Sequence, residues 1–262
     1  QGNIKKEKYS KITLNVSNDY KVTDNFKVGF QFNGARMLPA DTKSVATALR
    51  AAPVAHVFNE EYGLYTTLPG FQKAQMNNPM VDVELKANTT KAENYRTSGN
   101  VYGEWDFLKH FQFKVVYSMD YSSNSTRKYT PIIKVFDNSV EGKIETLGDG
   151  KTGVSQEKQT ETKVQSDYLL TYQNTWGEHS LTATAGFTTY YNELELLGAA
   201  RTQGVGLVIP NNPDKWYVSI GDAGTATNNS TQWERSTVSM LGRILYNLSL
   251  IHISEPTRPI SI

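Results

Sequence analysis

The residues able to carry chemistry are few and scattered. His56, His110 and His179 stand far apart, and no HxxxH or HExxH spacing joins them into a metal-ligand pair. Gly204-Val205-Gly206 is a lone GxG, without the strand–helix context that makes a phosphate cradle. Glu60-Glu61 is an adjacent acidic pair; acid–base catalysis needs two carboxyl environments that differ, whereas adjacent loop carboxylates are both solvated. There is no GxSxG elbow and no cysteine, which removes the hydrolase nucleophile, thiolate metal sites and disulfide staples. No catalytic, metal or cofactor-binding residue is assigned, and no enzyme is read here. Rings remain. Tyr62 and Tyr65 lie in one polar stretch, and Trp216 and Tyr217 follow Ile209-Pro210-Asn211-Asn212-Pro213 in another. Rings on polar loops suit stacking against sugar faces or apolar peptide side chains, so these four are the candidate substrate-binding residues. The competing reading is that they pack the loops together, as loops of such length require.

The elements that would position these rings show a period-two alternation of apolar and polar residues. Seven strands are expected: Lys8–Tyr20, Phe26–Ala35, Tyr95–Phe107, Phe111–Tyr121, Val164–Trp176, Ser180–Leu194 and Trp233–Tyr246. Val28, Phe30 and Phe32 oppose Lys27, Gly29 and Gln31; Phe113, Val115 and Tyr117 oppose Gln112 and Lys114. These runs exceed the roughly 5–6 residues of a globular strand and reach the roughly 9–11 of a transmembrane one. Their connections alternate between tight turns (22–25, 108–110, 177–179) and long polar loops (39–93, 122–157, 195–231). Tight turns on one rim and long loops on the other mark an outer-membrane barrel. Phe26, Trp105, Phe107, Phe111 and Trp176 flank the tight turns, the depth of an interfacial aromatic girdle. One short helix is expected over Asp41–Ala52, capped by Asp41 and stopped by Pro53.

Composition sets the outer bounds. The 262 residues carry a net charge of +1, which supplies no basic face, so no nucleic-acid partner is expected. Aromatics make up 11%, too many for a disordered chain. No apolar run approaches the roughly 20 residues of a spanning helix, a test that says nothing about strands. The fold class is therefore all-β: a partial antiparallel up-and-down transmembrane barrel, with seven long strands.

The stretches YKVTDNFKVGFQFNGAR (20–36), EEYGLYTTLPGFQ (60–72), GNVYGEWDFLKHFQFKVVYSMDY (99–121) and TYQNTWGEHSLTATAGFTTYYNE (171–193) resemble the SusC/RagA group of TonB-linked outer-membrane receptors. The resemblance covers most of residues 1–247 and rests on this strand–turn–strand rhythm. It implies an internal portion of a large barrel in a Bacteroidetes-type outer membrane, embedded in outer-membrane lipids. It also implies import of glycan or peptide fragments, a SusD-type surface lipoprotein as lid, and TonB acting through a plug region that these residues do not include. The resemblance provides no motif onto which functional residues can be carried.

Two domains follow: residues 1–247 as barrel wall and 248–262 as a tail, where LSLIHISEPTR resembles the conceptual translation of a sequencing adapter. Two other functions stay open. A secreted, water-soluble β-sandwich that binds carbohydrate would bury the apolar rows between two sheets. A structural or adhesive barrel would leave them in lipid without transport.

Overall fold

The computed structural model describes residues 8–39, 45–139 and 142–248. Its elements run β1 (Ser10–Thr23), β2 (Phe26–Leu38), α1 (Val45–Arg50), β3 (Phe58–Asn59), β4 (Leu64–Tyr65), α2 (Gly70–Lys73) and α3 (Pro79–Glu84). They continue with β5 (Thr90–Phe107), β6 (Phe111–Thr130), β7 (Ile133–Phe136), β8 (Ile144–Leu147), β9 (Gly153–Trp176), β10 (His179–Thr202) and β11 (Thr227–Leu248). The seven long strands form one sheet in the order β1-β2-β5-β6-β9-β10-β11. Every neighbouring pair is antiparallel. Each neighbour in the sheet is also the next long strand in the chain, so the wall is an up-and-down meander. β1 and β11 are its open edges.

Register carries the alternation across the sheet. Val16 stands opposite Phe32, Phe32 opposite Gly99, and Gly99 opposite Met119. Gly99 is required there: a Cβ would stand 2.5 Å from the Gln31 carbonyl oxygen. Two of the three tight turns use backbone in the left-handed region, at Leu108 and Lys109 (φ 48° and 63°) and at Gly177 (φ 60°).

The apolar rows are not covered. Ile244 is 75% exposed and Phe30 42%, and the other two sheets are two-stranded hairpins, β3-β4 and β7-β8. A sandwich would have buried these rows against a second large sheet, so that arrangement is not what the described residues adopt. On β6 the band runs from Phe111 to Tyr121. Ten steps of about 3.3 Å at a tilt near 40° give a height of about 25 Å, the apolar band of a transmembrane barrel. Its lower margin holds a chain of rings: Trp105–Phe107 at 4.9 Å, Phe107–Phe111 at 5.6 Å and Phe111–Tyr172 at 5.0 Å between centroids.

The strands outrun their expected ends. β6 continues from Tyr121 to Thr130, β9 begins at Gly153 rather than Val164, and β10 reaches Thr202 rather than Leu194. The connections shrink to 39–89, 131–152 and 203–226. Alternation reports a difference between two environments. In Ser122–Lys128 and Glu157–Lys163 both faces are polar, so the signal disappears while the ladder continues. At the other end, Val22 and Thr23 belong to β1 rather than to the turn. The helix expected over Asp41–Ala52 forms as Val45–Arg50, ending before Pro53; Asp41 lies outside the described residues. So does the tail beyond Leu248, which is itself the last residue of β11.

Candidate functional site

Opposite the apolar band, the polar face pairs its own charges. The Arg96 guanidinium clamps the Asp120 carboxylate between β5 and β6, with Nη2 2.7 Å from Oδ2 and Nε 3.0 Å from the same oxygen. Lower on the same face, the Tyr102 hydroxyl donates to Asp19, and the Lys114 and Lys27 ammonium groups lie 4.9 and 5.6 Å from the Tyr102 ring centroid. Lys114 also pairs with Glu104 at 3.2 Å, and the Gln112 amide donates to Glu104 and Asp106. Asp167 accepts from Thr188 and from Gln165. Such a surface offers hydrogen bonds and a self-neutralised field. It suits a polar lining for a passage or a binding face.

Buried apolar clusters among the described residues lie on the loop side. Val81, Ile133 and Val135 form one, with Tyr65 and Leu147 packed against it. This cluster welds the loop 39–89 to the loop 131–152. A parallel bridge joins Thr66 to Phe136, the Thr67 amide donates to the Phe136 carbonyl at 2.7 Å, and the Asn78 side chain donates to Val57 and Thr66 carbonyls. Asn78 also caps α3, accepting from Met80 N–H. A cavity of about 100 Å³ remains between Thr67, Leu68, Lys73, Met76, Asn78 and Val135.

Asp137 is the hub of this unit. It is 1% exposed and lies 2.8 Å from Lys73 Nζ, and it accepts from both the amide and the hydroxyl of Ser139. The Lys73 ammonium, then the Ser139 donors, hold its carboxyl far below the ordinary carboxylate range. Lys73 is raised in turn by Asp137 and by Glu145, which stands 2.7 Å from its ammonium. Glu145 is lowered by Lys143 and Lys73. Neither Asp137 nor Lys73 was expected from sequence. The signal was faint: Asp137-Asn138-Ser139 has the composition of a side-chain-capped turn.

The second cluster holds Tyr129, Val154, Ile209 and Trp216. It fastens the loop 203–226 to the outward face of the strands beyond the apolar band. Three short 3-10 turns shape the loop, at Pro213–Lys215, Val218–Ile220 and Ala223–Thr225. The Val218 amide donates to the Gln156 side chain at 3.0 Å.

The four expected ring contacts therefore divide into two places. Tyr62 stacks on Phe136 at 4.9 Å and stays exposed; Tyr65 meets Phe58 edge-on and is half-buried. Trp216 is 1% exposed, stacked on Tyr129 at 5.8 Å with planes 6° apart, so its ring is packing in this structure. Tyr217 beside it is exposed, with the Arg127 guanidinium 4.6 Å over its ring. Tyr65 packs against the first cluster and Trp216 lies within the second, while Tyr62 and Tyr217 stand outside both, on Phe136 and under Arg127.

No family model matches the chain. It is 23% identical over 256 residues to TonB-dependent receptor P3 of Formosa agariphila, which covers 93% of this chain and 24% of the relative. In fold it is similar to the RagAB peptide transporter (TM-score 0.66, 14% identity) and to the RagAB peptide importer in its "closed-closed" state (TM-score 0.65, 13% identity). Each match covers 92% of this chain and 26% of the solved one. The chain thus spans about a quarter of the length of these relatives. A meander of long strands, an uncovered apolar band and packed loops on one rim agree with both comparisons: this chain resembles a TonB-dependent receptor of the SusC/RagA type.

Proposed function

We propose that residues 1–247 are part of the wall of an outer-membrane receptor that takes up oligomeric nutrients, glycan or peptide fragments, in a TonB-dependent manner. The observation that carries the reading is the exposed apolar band on a single-layered sheet with two open edges. In water such a surface and such edges favour aggregation, and in lipid open edges leave backbone groups unpaired at several kcal/mol each. Further strands that close the wall resolve both conflicts. Outer-membrane lipids solvate the band, a SusD-type lipoprotein covers the loop rim, and TonB acts on a plug held against the polar face.

Ligand recognition belongs to the loop rim and the polar face. Tyr62, an exposed ring held by Phe136, is the residue of the four we assign to direct ligand contact. Tyr65 supports it from below, Tyr217 presents a second ring on the outer flank, and Trp216 holds that flank in shape. The stretch 248–262 is a non-native tail in this reading.

Two measurements test it. The chain expressed alone should collect in inclusion bodies and give no heat-modifiable band on a detergent gel. A soluble, cooperatively melting monomer would overturn the barrel reading. A strain deleted for the full-length gene should lose growth on a polymeric glycan or on peptides while keeping growth on the monomers; unchanged growth on both would overturn the uptake role.

A further inference from the structure

Above the apolar band, the outward face carries cations that the polar face does not explain. Lys91 on β5 stands opposite Arg127 on β6, and Arg127 opposite Gln156 on β9. Lys158 on β9 lies opposite Ser125, one row nearer the membrane, and Arg201 on β10 opposite Val154, one row farther out. All of these positions share the parity of Phe113, Val115 and Tyr117, hence the outward face. Among the described residues none of the four cations has an ion pair. Glu93, the carboxylate in the Lys158 row, is engaged by Arg36 at 3.5 Å, and Glu195 is two rows nearer the membrane than Arg127.

A second observation is independent of charge. Arg127 Nη1, Arg201 Nε and Trp216 Nε1 are buried donors with no acceptor. Trp216 itself is 1% exposed. A buried N–H without a partner forfeits its hydration for nothing, so three around one loop are seldom left unused. Guanidinium groups recognise oxoanions through paired, charge-assisted hydrogen bonds, and an indole N–H adds a neutral donor.

We propose that Lys91, Arg127, Lys158 and Arg201, with the Trp216 indole, form a site for the phosphate group of an outer-leaflet lipid headgroup. The choice of a lipid follows from height, and so rests on the barrel reading above. Ser125 and Arg127 are four and six residues beyond Tyr121, about 10–15 Å above the apolar band at about 3.3 Å per residue and 40° tilt. A simple phospholipid headgroup layer is only about 5–8 Å deep. A phosphorylated glycolipid, whose sugars carry charge farther from the acyl chains, matches that height. The loop 203–226 would clasp the headgroup from outside, with Tyr217 and Arg127 as its inner wall.

The test uses the full-length receptor in detergent, titrated with micelles of a phosphorylated glycolipid, with the same lipid after dephosphorylation, and with inorganic phosphate. The phosphorylated lipid should bind at least tenfold more tightly than the other two. Arg127→Gln combined with Lys158→Gln should weaken it at least tenfold while the heat-modifiable band is kept. Lys158→Gln alone, at an exposed position, should weaken it about threefold. Equal binding of the dephosphorylated lipid, or unchanged binding by both variants, overturns the site. Inorganic phosphate binding as tightly as the lipid overturns the lipid assignment. Failure of the barrel reading is distinguishable, because the unmodified receptor would then lack the heat-modifiable band altogether.

Discussion

Asp137 Oδ2 lies 2.8 Å from Lys73 Nζ, a half-buried contact between residues that stand in different loops of the rim. It joins the 39–89 loop to the 131–152 loop at the point where α2 meets β7. Their pairing makes the loop unit sensitive to acid. Asp137 is lowered in the folded state, first by Lys73 and then by Ser139, so its stabilisation is complete above the ordinary carboxylate value of about 3.9. It is lost progressively as pH falls below that value toward the folded one. Protection of the loop amides, followed by hydrogen exchange in the intact receptor, should be flat from pH 8 to 5 and fall below about pH 4. Asp137→Asn should shrink this fall to the part carried by Glu145, which Lys143 and Lys73 also hold low, and lower local stability by about 1–3 kcal/mol at neutral pH. A steep loss of protection near pH 6 would assign the coupling to another group.

Phe30 and Gln31 are adjacent but lie on opposite faces of the wall. Phe30 is in the row of Val101 and Tyr117, halfway along the band. Phe30→Arg should cost the intact barrel about 2–4 kcal/mol in lipid, and Gln31→Arg much less. Refolding titrations into vesicles measure both, and equal costs would mean that the face assignment is wrong.

Topology is open to chemical labelling on whole cells. Gly70 has no neighbour within 4 Å of a Cβ, and Val205 is fully exposed. Gly70→Cys and Val205→Cys should react with an impermeant thiol reagent, whereas Glu178→Cys in the β9–β10 turn should not. The reverse pattern would invert the wall.

Trp216→Ala should empty the cluster around Tyr129 and Val154 at a cost of about 3–5 kcal/mol to the 203–226 loop. Tyr217→Ala, whose ring is outside that cluster, should cost little. Limited proteolysis of the loop distinguishes them: a selective nick in the Trp216 variant is expected, and matching digestion of both would contradict the packing role.

How much of this was legible in sequence varied with depth. Between Phe111 and Tyr121 the two faces meet different surroundings, and alternation showed the strand, its partner and its outward side. From Ser122 to Lys128 both faces carry polar side chains, and the same strand left no trace. The loop cores were harder still: Val81 stands in the short run Met80-Val81 and Ile133 and Val135 in Ile132–Phe136, two runs united only by the chain's return path. Trp216 looked like an available ring because a tryptophan on a loop does not reveal whether Tyr129 will cover it. Lys73 and Asp137 are 64 residues apart, and nothing local links an ammonium to a carboxylate at that separation.

The packed clusters on the loop rim have a consequence for how one chain answers to two solvents. The loops hold together by expelling water from Val81, Val135 and Trp216, a force that weakens on cooling and in urea. The band below is solvated by acyl chains, and its hydrogen-bonded ladder has no water to return to. Urea should therefore melt the rim while the wall still stands, and a change of lipid should act on the wall and leave the rim intact. β6, β9 and β10 pass through both regimes without a break, so a disturbance in either medium has a continuous rod of backbone along which to reach the other.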